Sequence, residues 1–228
     1  MNNYHIHSSA YNLSLFFVCF TFVLLSPLNC IAQKSVIIGD FSKGNLDGWK
    51  EKVFKNKTSY RIVDFGSGKI LEAKSRASGS GLFRELQVDL RETPCLAWSW
   101  KVQNILRGLN ETTKDGDDYS ARIYVVFSNG PFFWNARAIN YVWSSGQQIG
   151  SSWLNAFTDR TINISVDSGP ERVGHWVSHV RNIRKDYKRL FGKMTEVVDA
   201  VAIMTDTDNS RQSVTAYYGD IKFVSSCE

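Results

Sequence analysis

The residues best suited to chemistry gather near the C-terminus. Asp206, Asp208 and Asn209 sit in a turn between two apolar runs, and Asp220 interrupts the second run just after Tyr217 and Tyr218. Short acidic side chains this close together serve one of three ends: capping their own backbone amides, holding a cation, or meeting a ligand. Calcium takes about six to eight oxygen ligands, which alternate carboxylates on a turn can begin to supply. Asp206 and Asp208 have that alternation and are the metal candidates, of calcium type, although the glycine and distal glutamate of a calcium loop are missing. The competing and preferred reading is an Asx-turn network with no metal or other cofactor.

A second group lies upstream. Asp115, Asp117 and Asp118 end a polar loop, and Arg122 follows inside an apolar run over 119–128. A charge among Ile123, Val125 and Phe127 needs an acidic partner, and Asp117, Asp118, Asp206 and Asp220 are the candidates. Either Arg122 forms a structural ion pair, which is the preferred reading, or it sits in a polar pocket. In the second case a planar guanidinium beside carboxylates and aromatic rings suits sugar hydroxyls. The full set that would line such a site is Asp117, Asp118, Arg122, Trp134, Trp143, Asp206, Asp208, Asn209, Tyr217 and Asp220. Trp134, with Phe132 and Phe133, follows the turn residues Asn129, Gly130 and Pro131 and is expected at a hairpin tip, where exposed rings mark contact surfaces.

Recognisable catalytic motifs are missing. There is no Gly-x-Ser-x-Gly elbow, phosphate loop or dinucleotide fingerprint. His175 and His179 share a face but have no neighbouring glutamate of a zinc-protease motif. The carboxylates could furnish a glycosidase pair among Asp117, Asp118, Asp206 and Asp220, which keeps a hydrolase as the minority reading. The net charge of +5 is local: residues 181–193 hold six basic side chains and one acid, and the remaining charges balance. A nucleic-acid-binding protein would spread its basicity, so nucleic acid is excluded as a partner.

These residues need elements to position them. The first 32 of 228 residues carry no Lys, Arg, Asp or Glu. The apolar run 13–25 is shorter than a membrane span and is followed by Ser26-Pro27 and by Cys30 and Ala32. This reads as a signal peptide over 1–32, cut after Ala32, with export to the periplasm or beyond; a lipoprotein acylated at Cys30 is the lesser alternative. The mature part, 33–228, is expected to be one domain without a transmembrane segment. It holds two cysteines, Cys95 and Cys227, which either bridge or remain free thiols.

Most of that domain reads as β. Leu96, Trp98, Trp100 and Val102 alternate with Ala97, Ser99 and Lys101, the pattern of a core strand. Strands are also expected over 35–41, 60–65, 69–75, 119–128, 138–144, 161–166 and 174–180, with 78–81 a turn or bulge. One helix is expected from Asn182, with Ile183, Tyr187, Leu190 and Phe191 on one stripe and Gly192 as its stop. About a dozen short strands and one amphipathic helix predict a mainly β fold, an antiparallel jelly-roll-type sandwich of galactose-binding-like layout.

The ordered combination Asp47-Gly48-Trp49, Leu71-Glu72-Ala73, Leu96-Ala97-Trp98-Ser99-Trp100, Asp117-Asp118-Tyr119, Tyr141-Val142-Trp143 and Met204-Thr205-Asp206-Thr207-Asp208-Asn209 carries a resemblance. With Tyr217-Tyr218-Gly219-Asp220 it resembles the bacterial domain-of-unknown-function family 3047, over nearly the whole mature chain. The resemblance implies an exported bacterial protein without an established activity. The layout is also similar to carbohydrate-binding sandwich modules, at the level of architecture. The expected role is therefore binding without catalysis, to a glycan or another envelope component. A structural envelope protein that meets a partner through its basic helix is the third alternative.

Overall fold

The computed structural model describes Met1, 34–128 and 136–228. The leader, Cys30, and the segment with Phe132, Phe133 and Trp134 lie outside the described residues. The chain divides into two units, Met1–Ala32 and Gln33–Glu228, and the fold is that of the second.

Two sheets form a sandwich. The first contains β1 (Ser35–Gly39), β3 (Ser59–Phe65), β4 (Gly68–Arg76), β6 (Cys95–Val102), β11 (Val177–Asn182), β13 (Ser213–Tyr218) and β14 (Ile221–Val224). The second contains β2 (Lys50–Lys55), β5 (Gly79–Asp89), β7 (Arg122–Phe127), β8 (Arg137–Ser144), β9 (Ser152–Asn155), β10 (Thr158–Ser168) and β12 (Val197–Met204), in the order β2-β5-β12-β7-β8-β10-β9. The single helix α1 (Ile183–Phe191) follows β11.

In the first sheet β6 is central. One side pairs with β11, and the other pairs with β13 and then β14. These two are a strand interrupted at Gly219 and Asp220, opposite Ser99. A Cβ on Gly219 would stand 2.3 Å from Ser99 Oγ, so a larger residue there would have to turn the Ser99 hydroxyl aside. The alternation in β6 has the expected consequence. Leu96, Trp98, Trp100 and Val102 are buried, with Trp98 and Trp100 edge to face at 5.6 Å and Trp98 stacked near Tyr141 at 5.3 Å. A buried ring of this size removes about 200 Å² from water, worth about 5 kcal/mol. Lys101 points the other way, toward solvent on the outer face.

Helix α1 forms as its sequence directs. Asn182 Oδ1 accepts from Lys185 N at 3.0 Å, and Gly192, at φ 73°, ends the helix in the left-handed region. Its buried stripe docks Tyr187 against Phe127 at 4.6 Å.

Three features depart from the sequence reading. Of the 78–81 stretch only Ser78 belongs to the bend with Ala77, while Gly79 to Gly81 already open β5, where Gly81 lets the backbone approach Ile203 O of β12. Strand β2 is exposed along its length at a sheet edge, with four lysines and glutamates in six residues, so no apolar alternation marks it. Finally, β8 and β10 pair in parallel, from Thr161 opposite Ala138 to Ser168 opposite Ser144, within sheets that are otherwise antiparallel. Among the described residues no helix is long and apolar enough to cross a membrane.

Candidate functional site

The Arg122 region forms one centre. Arg122 opens β7, Asp206 follows β12, and the two strands pair at Met204 opposite Arg122, which brings the side chains together. Arg122 Nη2 pairs with Asp206 Oδ2, and Nη1 lies 3.5 Å from Asp117 Oδ2. The guanidinium lies over the rings of Tyr119 at 5.0 Å and Tyr124 at 5.5 Å. Asp206 Oδ1 also accepts from Tyr119 N at 3.3 Å, and Asp117 accepts from Asn155 Nδ2 at 3.0 Å. The Tyr119 hydroxyl lies 3.2 Å from Asp117 Oδ1 and accepts from Asn163 Nδ2 at 3.2 Å.

Arg122, Asp117, Asp118 and Asp206 are all buried. Burial lifts the carboxyls of Asp206 and Asp117 above the usual carboxylate range, and Arg122 opposes that lift. For Arg122 itself burial works against the charge, but Asp206 and Asp117 outweigh it and hold the guanidinium protonated. The group is a structural knot that joins the loop before β7 to the turn after β12.

The acidic turn beside it is tied to the loop before β7. Asp118 accepts from Asn209 N at 3.3 Å and Ser210 N at 2.6 Å, so the turn's amides are capped from a distant loop and not, as the Asx-turn reading expects, by the turn's own side chains. Asp208 packs on Gly79, whose missing Cβ would stand 2.3 Å from Asp208 Oδ1. One carboxylate oxygen each from Asp118, Asp206 and Asp208 lies within 4.8 Å of the others. Two of these three carboxylates are already occupied by protein donors.

Three expected site residues stand elsewhere. Trp143 is in the core, 6.3 Å from Trp100, and donates to Gly169 O at 3.2 Å; its alternation with Ile139 and Tyr141 belongs to the inward face. Asp220 caps the turn at Phe41–Lys43, accepting from Ser42 N at 2.8 Å and Ser42 Oγ at 2.6 Å. Tyr217 lies between the buried Ala216 and Tyr218 and therefore projects from the opposite face of the first sheet. Trp134 lies outside the described residues.

Around Tyr217 a second arrangement appears that sequence reading missed. Register aligns Arg61 with Glu72, Glu72 with Tyr217, and Tyr217 with Lys101, while Trp176 precedes β11 beside Lys101. The ammonium of Lys101 lies 4.8 Å from the Tyr217 ring, 5.2 Å from Phe65 and 5.6 Å from Trp176. Phe65 and Trp176 meet edge to face at 5.5 Å, and Phe65 is 46% exposed. Two residues further along each strand, Lys74 aligns with Thr215 and Gln103 N donates to Thr215 O. Beyond them Asn104 Nδ2 donates to Ser213 O, and Arg76 aligns with Ser213.

This face runs into two adjoining depressions. One, of 300 Å³, is lined by Lys74, Arg76, Asn104, Ser213 and Thr215 among others. The other, of 610 Å³, is lined by Asn104, Gln103, Ile105, Arg107, Pro170, Val173 and Gln212. Asn104 belongs to both, so rings, cations and amide groups form a continuous surface on one side of the molecule. The alternation in β6 already places Lys101 on the outward face, whereas the sequence reading groups Tyr217 with the Arg122 site. Their meeting with Phe65 and Trp176 depends on pairings between distant segments.

Several solved structures are similar to this chain at low identity. A structure on the promiscuous specificity of carbohydrate-binding modules from the β-sandwich superfamily has a TM-score of 0.40 and 10% identity, covering 80% of this chain; this chain spans 59% of that one. The xyloglucanase domain of NopAA, a type three effector from Sinorhizobium fredii, gives 0.44 at 11% identity, over 84% of this chain and 97% of that one. Endoglucanase 3 of Trichoderma harzianum, from family GH12, gives 0.40 at 10% identity, over 86% and 98%. At these TM-scores the likeness assigns neither architecture nor role to this chain. No curated protein matches the sequence. The model of the family described as "Protein of unknown function (DUF3047)" matches residues 47–222, and the chain belongs to that family.

Proposed function

We propose that the chain is an exported, non-catalytic carbohydrate-binding module whose ligand lies on the outer face of the first sheet. The observation that carries this reading is the ring of Phe65, Trp176 and Tyr217 around Lys101, continuous with the groove at Asn104. Aromatic rings offer flat apolar surface to the C–H faces of a sugar, while Lys101, Gln103 and Asn104 supply polar atoms for its hydroxyls. Export is supported by the uncharged apolar leader and fits an envelope or extracellular glycan as partner.

Binding is favoured over hydrolysis on chemical grounds. Glycosidases place two carboxyl groups across the scissile bond. On this face the row through Lys101 holds one, Glu72, whose oxygens are taken by Arg61 at 2.9 Å and Lys74 at 2.8 Å. The carboxylates of the Arg122 centre are buried and engaged with protein donors. The acidic turn needs no cation in this reading, since its donors come from Arg122 and the backbone.

Electrophoresis through gels containing soluble polysaccharides tests the proposal. The wild-type protein is expected to be retarded by at least one polysaccharide, without release of reducing sugar. The double variant Y217A/W176A should bind about tenfold more weakly, from two lost ring contacts of about 0.5–1.5 kcal/mol each. Retardation unchanged in the double variant, or absent for every polysaccharide tried, would refute it.

A further inference from the structure

We infer that the ligand of this face is an anionic polysaccharide, one whose sugar rings carry carboxylates as uronic acids do. The inference rests on the carbohydrate reading and specifies the class of sugar.

One cation of this face has no counter-ion. Three rings surround the Lys101 ammonium, and no carboxylate pairs with it among the described residues. Rings attract an ammonium through their negative faces but do not neutralise it, so its charge remains available to an incoming anion. The same holds along the groove. Arg76 and Arg107 line the two depressions, and neither has a carboxylate partner among the described residues. Glu72 is shared between Arg61 and Lys74, one acid for two bases. The face therefore carries a positive surplus of its own, separate from the basic segment 181–193.

The arrangement of that surplus suits a sugar polymer. Lys74 and Arg76 lie two residues apart on β4, an interval of about 6.7 Å. Lys101 stands two strands from Lys74, so the cations are spread over a surface rather than gathered at a point. A polymer with one carboxylate per ring meets such a spread repeatedly. A uronate carboxylate is borne directly on the sugar ring. With the carboxylate at Lys101, the ring's C–H face can rest on Tyr217 or Trp176. An anion without a sugar ring would use the cations and leave the aromatic walls idle.

Calorimetric titration of the full chain compares three probes: polygalacturonate, its fully methyl-esterified form and polyglutamate. Wild type is expected to bind polygalacturonate at least about tenfold more tightly than the ester, with affinity falling as salt is added. Lys101→Met should remove about tenfold for polygalacturonate and markedly less for the ester, which loses a hydroxyl contact but no ion pair, and R76Q/R107Q should reduce the salt dependence. Equal binding of the acid and its ester would overturn the anionic class while leaving the carbohydrate reading intact. Equal binding of polyglutamate would overturn the sugar requirement, and a protein that bound neither the three probes nor a neutral polysaccharide would remove both.

Discussion

At the residue scale the Arg122 knot has clear energetic consequences. Removing one partner of a buried ion pair leaves the other charge uncompensated, at a cost of about 3–5 kcal/mol. R122M and D206N are each expected to lose that much in urea denaturation, whereas Y217A, on the open face, should stay within about 1 kcal/mol of wild type. If R122M melted like the wild-type protein, the knot would not be structural. A pH dependence also follows. Burial lifts the Glu111 carboxyl above its ordinary value against hydrogen bonds from Ser144 and Ser145, and lifts Asp117 against Arg122. A carboxyl whose folded pKa exceeds its unfolded one contributes stability that is complete below the unfolded pKa and is lost as pH rises through the folded one. Melting temperature should therefore increase as pH drops from about 7 toward 5, and E111Q/D117N should flatten that slope. Asp89, brought to about 2 chiefly by hydrogen bonds from Arg91, acts in the opposite sense at more acidic pH. An unchanged slope in the double variant would assign the effect to other groups. The need of Arg122 for an acid was legible in the sequence, because a charge among Ile123, Val125 and Phe127 admits few solutions. Grouping Tyr217, Asp220 and Trp143 with it failed for a different reason. Nearness along the chain was allowed to outweigh strand parity, which sends Tyr217 outward and Trp143 into the core.

At the element scale, the strands with strong alternation were legible and those without it were not. In β6 large apolar side chains at every second position dictate which face is buried, and in β8 they mark the face turned to the aromatic core although both faces are covered. In β2 and β5 the constraint lies in a charged edge and in two glycines that admit neighbouring chain, signals that resemble turns when read locally. The direction of β10 beside β8 was also hidden, since a period of two is the same in parallel and antiparallel pairs. The disulfide between Cys95 and Cys227 ties the last residues to the start of β6, with Cα atoms 5.4 Å apart and 132 residues between them. Closing so long a loop is worth up to about 5 kcal/mol through the unfolded chain. C95A/C227A should show a loss approaching that size in denaturant titrations with the glycan face still competent. A loss well under 1 kcal/mol would mean the C-terminus is held without the bridge. Asn182→Ala, which removes the α1 cap, should cost about 1 kcal/mol.

At the scale of the whole molecule, the two sides of the sandwich differ in kind. One side buries Arg122 with its acids in a network that fixes loops. The other side turns Lys101, three rings and a polar groove toward solvent. The first was visible as clustered charge in the sequence, whereas the second exists only once strands from four parts of the chain are laid side by side. The central claim is that carbohydrate meets the second side and leaves the first untouched. Amide chemical-shift mapping during titration with an oligogalacturonate tests it most directly. Shifts are expected to concentrate at Phe65, Lys101, Trp176 and Tyr217 and along Gln103 and Asn104, with Arg122, Tyr124 and Asp206 unmoved. Shifts centred on Arg122, or none at a saturating excess of oligosaccharide, would contradict it.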